Sequence, residues 1–241
     1  MTSTPGQATW PRQLRLPGQA DAPEGPVDLS TMYLVHHAFR RDLAAFAEAV
    51  PHTPLDDRPT WRALQRRWEL FAEVLHHHHR AEDTWIWPVL MQKADPTEQQ
   101  TLQAMEAEHE EIDPLLASCT TGLQRLVEGR ATADERAALA VRVCAARESL
   151  GRHLAHEEHD AMRILQRHVS PAEWSSIETE INGRRPDPRP VLSVVPWVLH
   201  EVPPAVRREV LARAEAVPRV LWRLTHRRFE RLERRAFRYV T

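Results

Sequence analysis

Helix start and stop signals divide most of this chain into long segments, and they constrain its fold more than any other feature. Capping boxes, in which a polar N-cap residue precedes a glutamate by three positions, begin at Asp95, Thr132 and Ser170. Helix breakers follow other segments, at Pro51 and Gly129. Because short links separate four long helices, the sequence predicts an all-α, up-down-up-down four-helix bundle. The predicted helices cover residues 28–50, 60–92, 95–128, 132–168 and 170–181.

The composition agrees with a helical protein. Seven glycines among 241 residues are fewer than half of the roughly 17 that average usage gives. This argues against a hairpin-rich β protein and against a nucleotide fold with glycine-rich loops. Two cysteines are too few for a disulfide scaffold or a thiolate zinc site. The chain shows neither a signal-peptide pattern nor an apolar stretch that could span a bilayer, so a cytoplasmic location is expected.

The two ends of the chain differ from its middle. Residues 1–27, rich in proline, glycine and glutamine, are predicted to be a disordered N-terminal segment, and residues 28–182 to form the bundle. Residues 183–241 are predicted to be a basic helical C-terminal extension, since residues 184–241 contain 14 arginines against 6 acidic residues. Its last helix is a candidate for contact with a membrane surface, nucleic acid or a protein; the alternative is packing against the bundle with its arginines solvated. Lysine occurs once in the chain, an arginine bias typical of a high-GC bacterial genome.

Polar residues interrupt the apolar row of each long segment. In the second segment the row passes through His78 and Glu82, and it is expected to resume at Trp85 and Val89. Two residues four apart lie one turn apart on the same helix face, so both side chains are predicted to face the core. The fourth segment repeats this HxxxE pattern, and the first and third each contribute one histidine. The core-facing set is His36, His78, Glu82, His109, His153 and Glu157.

This polar set predicts a metal site. Burying two carboxylates without compensation costs several kcal/mol each, and a bound cation supplies the missing partner. Helix bundles build metal sites from inward side chains on facing helices. Imidazole with carboxylate suits iron, manganese or zinc, and four histidines with two glutamates exceed what one tetrahedral zinc requires. We therefore expect two metal ions, with iron favoured over zinc or manganese, bridged by Glu82 and Glu157.

Four histidine motifs stand in order along the four long segments. They are HHAFR at 36–40, HHHHRAED at 76–83, EHE at 108–110 and HLAHEE at 153–158. In these motifs the chain resembles the hemerythrin-like, or HHE cation-binding, family over about residues 28–182. The resemblance implies a non-haem di-iron centre, with an oxo or hydroxo bridge, inside four antiparallel helices.

The resemblance also implies a function. A member of this family would bind or sense dioxygen, nitric oxide, peroxide or iron, so a small diatomic or peroxide ligand is the expected partner. Two alternatives stay open: a di-iron enzyme that turns over peroxide or nitric oxide, and a single-metal structural module that interacts through its basic tail. The oxygen carriers of the family have HxxxH on the third helix, whereas here Asp113 stands four after His109. Asp113 is a further ligand candidate, although Pro114 is expected to disrupt the helix there.

Other residues of the motifs are assigned to the periphery. Within the run from 76 to 79, His78 takes the core row, and His76, His77 and His79 are expected at the rim or surface.

The main alternative in the same architecture is a ferritin-like carboxylate bundle, which needs ExxH pairs on two helices and single glutamates on the others. The two ExxH pairs of this chain lie on adjacent segments, and their glutamates are off the core rows. This rival is therefore disfavoured.

Overall fold

The computed structural model describes residues 10–183, 189–214 and 216–240 of the chain. Within these ranges the regular structure is helical and contains no strand, which confirms the predicted all-α class. Two of the long helical segments pass through five-residue π-helical turns, Glu82–Ile86 and Glu157–Ala161. The α-helices are α1 (Ser30–His52), α2 (Arg58–Ala81), α3 (Trp87–Met91), α4 (Pro96–Glu128), α5 (Ala133–His156), α6 (Met162–His168), α7 (Pro171–Gly183), α8 (Arg189–Val198), α9 (Pro204–Arg213) and α10 (Ala216–Ala236).

Helices α1, α2, α4 and α5 form the bundle: α1 packs against α5, α5 against α4, and α4 against α2. Capping boxes begin α4 and α5, as the sequence predicts. Gly129 caps the C-terminus of α4, and its φ of 69° lies in the left-handed region that glycine adopts without strain. The prediction that Pro114 disrupts the helix is wrong, because α4 continues through it. Proline has no backbone N–H, so the carbonyl of Glu110, four residues before Pro114, lacks its helical hydrogen-bond donor. Both residues are exposed, so water can hydrate that carbonyl.

Buried apolar residues form two clusters within the bundle. The first includes Phe46, Trp68 and Leu123, and the second includes Leu90 and Met162. On each long helical segment the buried apolar residues change from one cluster to the other where the core-facing histidines lie. A layer of polar side chains therefore separates two apolar cores.

Each π-helical turn begins at one of the predicted bridging glutamates. A π turn lengthens the helical repeat by one residue and so shifts the positions that face the core beyond it. Trp85 and Val89, which were predicted to continue the core row, accordingly pack at the edge of the second apolar cluster and are only half-buried. Ile86 and Leu90, one position later, are buried instead.

The N-terminal segment is packed over its described part, residues 10–27. Leu14 and Val27 are buried in the second apolar cluster. The side-chain amide of Gln13 donates to the Val27 carbonyl at 2.8 Å. The prediction of disorder is therefore wrong for residues 10–27, because irregularly spaced apolar side chains anchor them to the bundle; residues 1–9 lie outside the described residues.

The C-terminal extension docks on the bundle. Helix α10 packs on α2 and α8, and α8 also contacts α1. Trp197 of α8 is fully buried, and its indole N–H donates to Asp42 at 2.7 Å. Asp42 also pairs with the buried Arg67 at 2.9 Å, and Arg67 in turn pairs with Glu233 of α10. A buried charge network thus ties the extension to α1 and α2. Among the described residues, no helix is both long and apolar enough to cross a membrane.

Candidate metal centre

The six predicted core-facing residues meet in the polar layer, and all six are buried. Their imidazole nitrogens and carboxylate oxygens, together with those of one further histidine, form two groups. Within each group the candidate ligand atoms lie within 4.8 Å of one another. The first group is His36, His78, Glu82 and Glu157, and the second is His79, His109 and His153.

In the first group, two imidazoles and two carboxylates converge. His36 Nε2 lies 3.2 Å from His78 Nε2 and 3.2 Å from Glu157 Oε2. His78 Nε2 lies 3.1 Å from Glu82 Oε1. Each imidazole nitrogen therefore stands beside a carboxylate oxygen and faces the other imidazole, which is a donor set that suits a divalent metal ion.

The second group consists of three histidines from three helices. His109 Nε2 lies 3.2 Å from His153 Nε2. The ring of His79 stacks on the ring of His109, with centroids 3.9 Å apart. Burial lowers the pKa of His79 to about 4, so its ring is neutral at neutral pH, as a metal ligand requires.

The expectation that His79 lies at the rim is therefore wrong: the side chain is 3% exposed. Residues 78 and 79 point about 100° apart on α2, and an apolar stripe of about that width accommodates both. A signal was present in the sequence, because His79 follows the buried Leu75 by four residues. His76, by contrast, is exposed on the outer face of α2, as the sequence predicts.

The two glutamates connect the two groups. Glu82 Oε1 is the oxygen beside His78, whereas Glu82 Oε2 lies 3.5 Å from His109 Nε2. Glu157 Oε2 lies between His36 and His153, at 3.2 Å from the first and 3.9 Å from the second. Each carboxylate thus reaches one histidine of each group, as a bridging ligand would.

Glu82 and Glu157 contact imidazole rings but are not fully hydrogen-bonded by the described residues. No oxygen of Glu82 or Glu157 accepts a hydrogen bond of good geometry from the described residues, although all four atoms are buried. Burial and the charge of Glu157 raise the pKa of Glu82 well above its ordinary value. Burial acts in the same direction on Glu157, but the neighbouring His36 outweighs it and lowers the pKa of Glu157. Two buried carboxylates that repel each other fit a site in which cations complete the coordination.

A second set of carboxylates orients the imidazole rings through their Nδ1 atoms, which point away from the two donor groups. Glu108 Oε2 lies 2.8 Å from His153 Nδ1, and Asp83 Oδ1 lies 2.9 Å from His109 Nδ1. The other oxygen of Glu108 contacts His156, which belongs to neither donor group. A carboxylate that accepts from Nδ1 leaves Nε2 free of its proton, so that this nitrogen can bind a metal.

Glu158 plays the same part for His36 and also joins the N-terminal segment to the site. Its Oε1 lies 3.0 Å from His36 Nδ1. Arg40 donates to both oxygens of Glu158, at 2.7 and 3.0 Å. The backbone N–H of Ala20 completes the set at 2.7 Å. Sequence reasoning missed Glu158, because it follows a predicted ligand directly and lies off the apolar row.

Asp113 does not join either donor group among the described residues. Its side chain is 53% exposed, and its Oδ1 lies 3.7 Å from His79 Nδ1. The candidate ligand role is therefore not supported by its position, because α4 turns this carboxylate toward solvent behind His79. His79 of α2, and not Asp113 of α4, joins His109 and His153 in the second donor group.

A helical bundle whose core contains two linked groups of buried histidine and glutamate side chains has the donor set of a metal-binding protein. The family model of the hemerythrin HHE cation-binding domain matches residues 27–165. Since this match spans more than half of the chain, the chain belongs to the hemerythrin HHE cation-binding domain family, and the resemblance in its motifs is confirmed. No curated protein and no solved structure matches the chain.

Proposed function

We propose that this protein holds two iron ions in a non-haem centre and binds or senses a small diatomic or peroxide ligand there. The three histidines of the second group would hold one ion, His36 and His78 would hold the other, and Glu82 and Glu157 would bridge them. Histidine with carboxylate is a donor set typical of non-haem iron, and seven donors exceed the four of a zinc site.

One observation carries this proposal: each glutamate reaches a histidine of both groups. A single ion would not account for the second oxygen of Glu82, which lies 3.5 Å from His109 Nε2 on the far side of the carboxylate from His78. For the same reason, a single metal ion with a purely structural role is the weaker alternative.

The residues of this chain also favour binding of a small external ligand. When bound, the iron pair supplies redox chemistry and open coordination positions for dioxygen, nitric oxide or peroxide. The position beside His36 and His78 has one histidine fewer than the three-histidine position, so we assign the external ligand to it. Apolar clusters on both sides of the layer exclude bulk water, and Asp83, Glu108 and Glu158 hold the imidazoles in place.

Metal analysis and absorption spectroscopy of aerobically purified protein test the proposal. We expect about two irons per chain and ligand-to-metal charge-transfer bands; one zinc per chain and a colourless protein would overturn the proposal.

The variant His153→Ala should lose iron, whereas His156→Ala, a matched change beside the same Glu108, should keep it. Equal iron loss in both variants would show that the assignment on α5 is wrong. Steady-state consumption of peroxide or nitric oxide would instead establish an enzyme.

A further inference from the structure

A groove between α2, α8 and α10 collects positive charge on the outside of the protein. Arg62 and Arg66 of α2 line one side, and Arg228, Arg231 and Arg235 of α10 line another. All five side chains are exposed. The groove encloses about 830 Å³, which lies within the range of about 300–1,000 Å³ typical of small-molecule sites.

Helical spacing arranges these arginines in two rows. The two on α2 are four residues apart, and the three on α10 follow at intervals of three and four, so each row lies on one helix face. With a rise of 1.5 Å per residue, the α10 row extends over about 10 Å. Between the rows lie apolar side chains, including Ala63 and the buried Phe229. The groove therefore offers a linear series of cations over an apolar floor.

No carboxylate balances this charge in the described part of the chain. The residues that line the groove include no aspartate or glutamate. None of the five arginines forms an ion pair with another described residue. Other surface arginines find such partners: Arg163 pairs with Asp21, and Arg167 pairs with Glu98. Charge that is concentrated in a recess and left uncompensated raises the local concentration of anions.

We propose that this groove binds a linear oligophosphate, a ligand with three or more phosphoryl groups in a row. The planar guanidinium group donates two parallel hydrogen bonds to phosphate, and consecutive arginines along a helix can each engage a successive phosphoryl group. Two opposed rows match such a chain better than they match a single small anion.

Two other polyanions fit the groove less well. Single-stranded nucleic acid binds through aromatic side chains that stack on bases, but Phe229, the aromatic residue of the groove, is 6% exposed. An anionic bilayer is flat, whereas the arginines line a recess. Of the exposed aliphatic residues on α8 and α10, Leu192 lies in the groove lining, whereas Val220 and Leu224 lie outside it, so the groove lacks the broad apolar face that inserts into a bilayer.

Calorimetric titration of the full-length protein with inorganic tripolyphosphate tests this proposal. We expect saturable binding of one tripolyphosphate per chain at about 50 mM salt, which weakens as salt is added. The double variant Arg231→Ala/Arg235→Ala should lower the affinity at least about tenfold, because it removes two charge-assisted contacts. Arg219→Ala/Arg223→Ala is the matched control: it removes the same charge from exposed positions of α10 outside the groove, and the affinity should change less than about twofold.

The melting temperature of each variant shows whether it is folded. If the α10 groove variant does not fold, Arg62→Ala/Arg66→Ala on α2 replaces it with the same expected loss. Absence of saturable binding, or equal losses in the groove and control variants, would overturn the proposal. Tighter, groove-dependent binding of a single-stranded oligonucleotide or of phosphatidylglycerol vesicles would overturn it too, since the ligand would then be another polyanion.

Discussion

At the scale of single residues, two adjacent histidines of α2 take part in different donor groups. His78 lies with His36, and His79 lies with His109 and His153. A step of about 100° between them directs one ring into each donor group. One helix turn therefore contributes a histidine to both donor groups, while α4 contributes His109 to one of them.

His79→Ala should remove one ligand from the three-histidine position and leave the other position intact. We expect the iron content to fall from about two per chain toward about one, because metal affinity depends on the full donor set. His76→Ala, a change at an exposed position of the same run, should leave the content unchanged. Elemental analysis of the purified variants measures both; two irons retained in His79→Ala would contradict the assignment.

The sequence predicts most of this centre because a polar residue on an apolar row is conspicuous. His36, His109 and Glu157 each interrupt such a row, and all three are buried in the site. His79 and Glu158 escape this reasoning, since each is adjacent to a residue that already occupies the row. Their roles depend on the width of the buried face and on partners from other helices, which periodicity alone does not define.

At the scale of elements, buried apolar residues of α8 and α10, among them Trp197 and Phe229, and one charge network hold the C-terminal extension on the bundle. Trp197 packs against Phe39, with ring centroids 5.5 Å apart, and Phe39 in turn packs against His78, at 5.4 Å. Helix α8 is therefore separated from a candidate metal ligand by a single aromatic side chain. The predicted basic extension thus contributes to the core as well as to the surface.

Trp197→Ala should destabilise the protein by about 3–5 kcal/mol, because it leaves a cavity and removes a donor from Asp42. Leu192→Ala on the same helix is the control. Leu192 is 47% exposed, so its change should stay within about 0.5 kcal/mol. Urea unfolding measures both differences; similar values for the two variants would show that α8 is not anchored by Trp197.

Asp42 makes the docking of the extension dependent on pH. Burial acts to raise the pKa of Asp42, but Arg67 and Arg41 outweigh it, so the pKa lies below the ordinary value of 3.8. A depressed folded pKa means that the ionised group stabilises the fold above its unfolded pKa, and that this contribution is lost as the pH falls through the folded value. The loss of folding stability caused by Asp42→Asn should therefore be larger at neutral pH than below about pH 4, where it shrinks. Urea unfolding at each pH measures it, and a difference that grows on acidification would contradict this sign.

Sequence periodicity predicts the long helices but not the details that depend on tertiary contacts. The capping residues Asp95 and Thr132 begin their helices as expected, because caps act locally. The π turns at Glu82 and Glu157 have no local signature and reposition the residues that follow. The N-terminal segment likewise has no helical period, so its packing against the bundle is visible only in three dimensions.

At the scale of the whole molecule, the metal ions should stabilise the fold. Without them, the buried carboxylates of Glu82 and Glu157 lie close together, and no described residue donates a hydrogen bond of good geometry to either. A ligand present at 100 times its dissociation constant stabilises the folded state by about 2.7 kcal/mol. Chelation should therefore lower the melting temperature, and added ferrous iron should restore it. Calorimetry with parallel metal analysis checks this; an unchanged melting temperature after verified metal loss would contradict it.

The contact between Ala20 and Glu158 has a consequence for how the protein is made. The two residues are 138 positions apart, and His36 meets Glu157 over a similar span. A ribosome adds about 5–20 residues per second, and a domain acquires its long-range contacts only after the chain has emerged. About half of the chain is therefore synthesised, over about 6–24 s, between His36 and its carboxylate partners Glu157 and Glu158. Metal loading must follow synthesis of α5, so nascent chains expose an incomplete histidine site for all of that time.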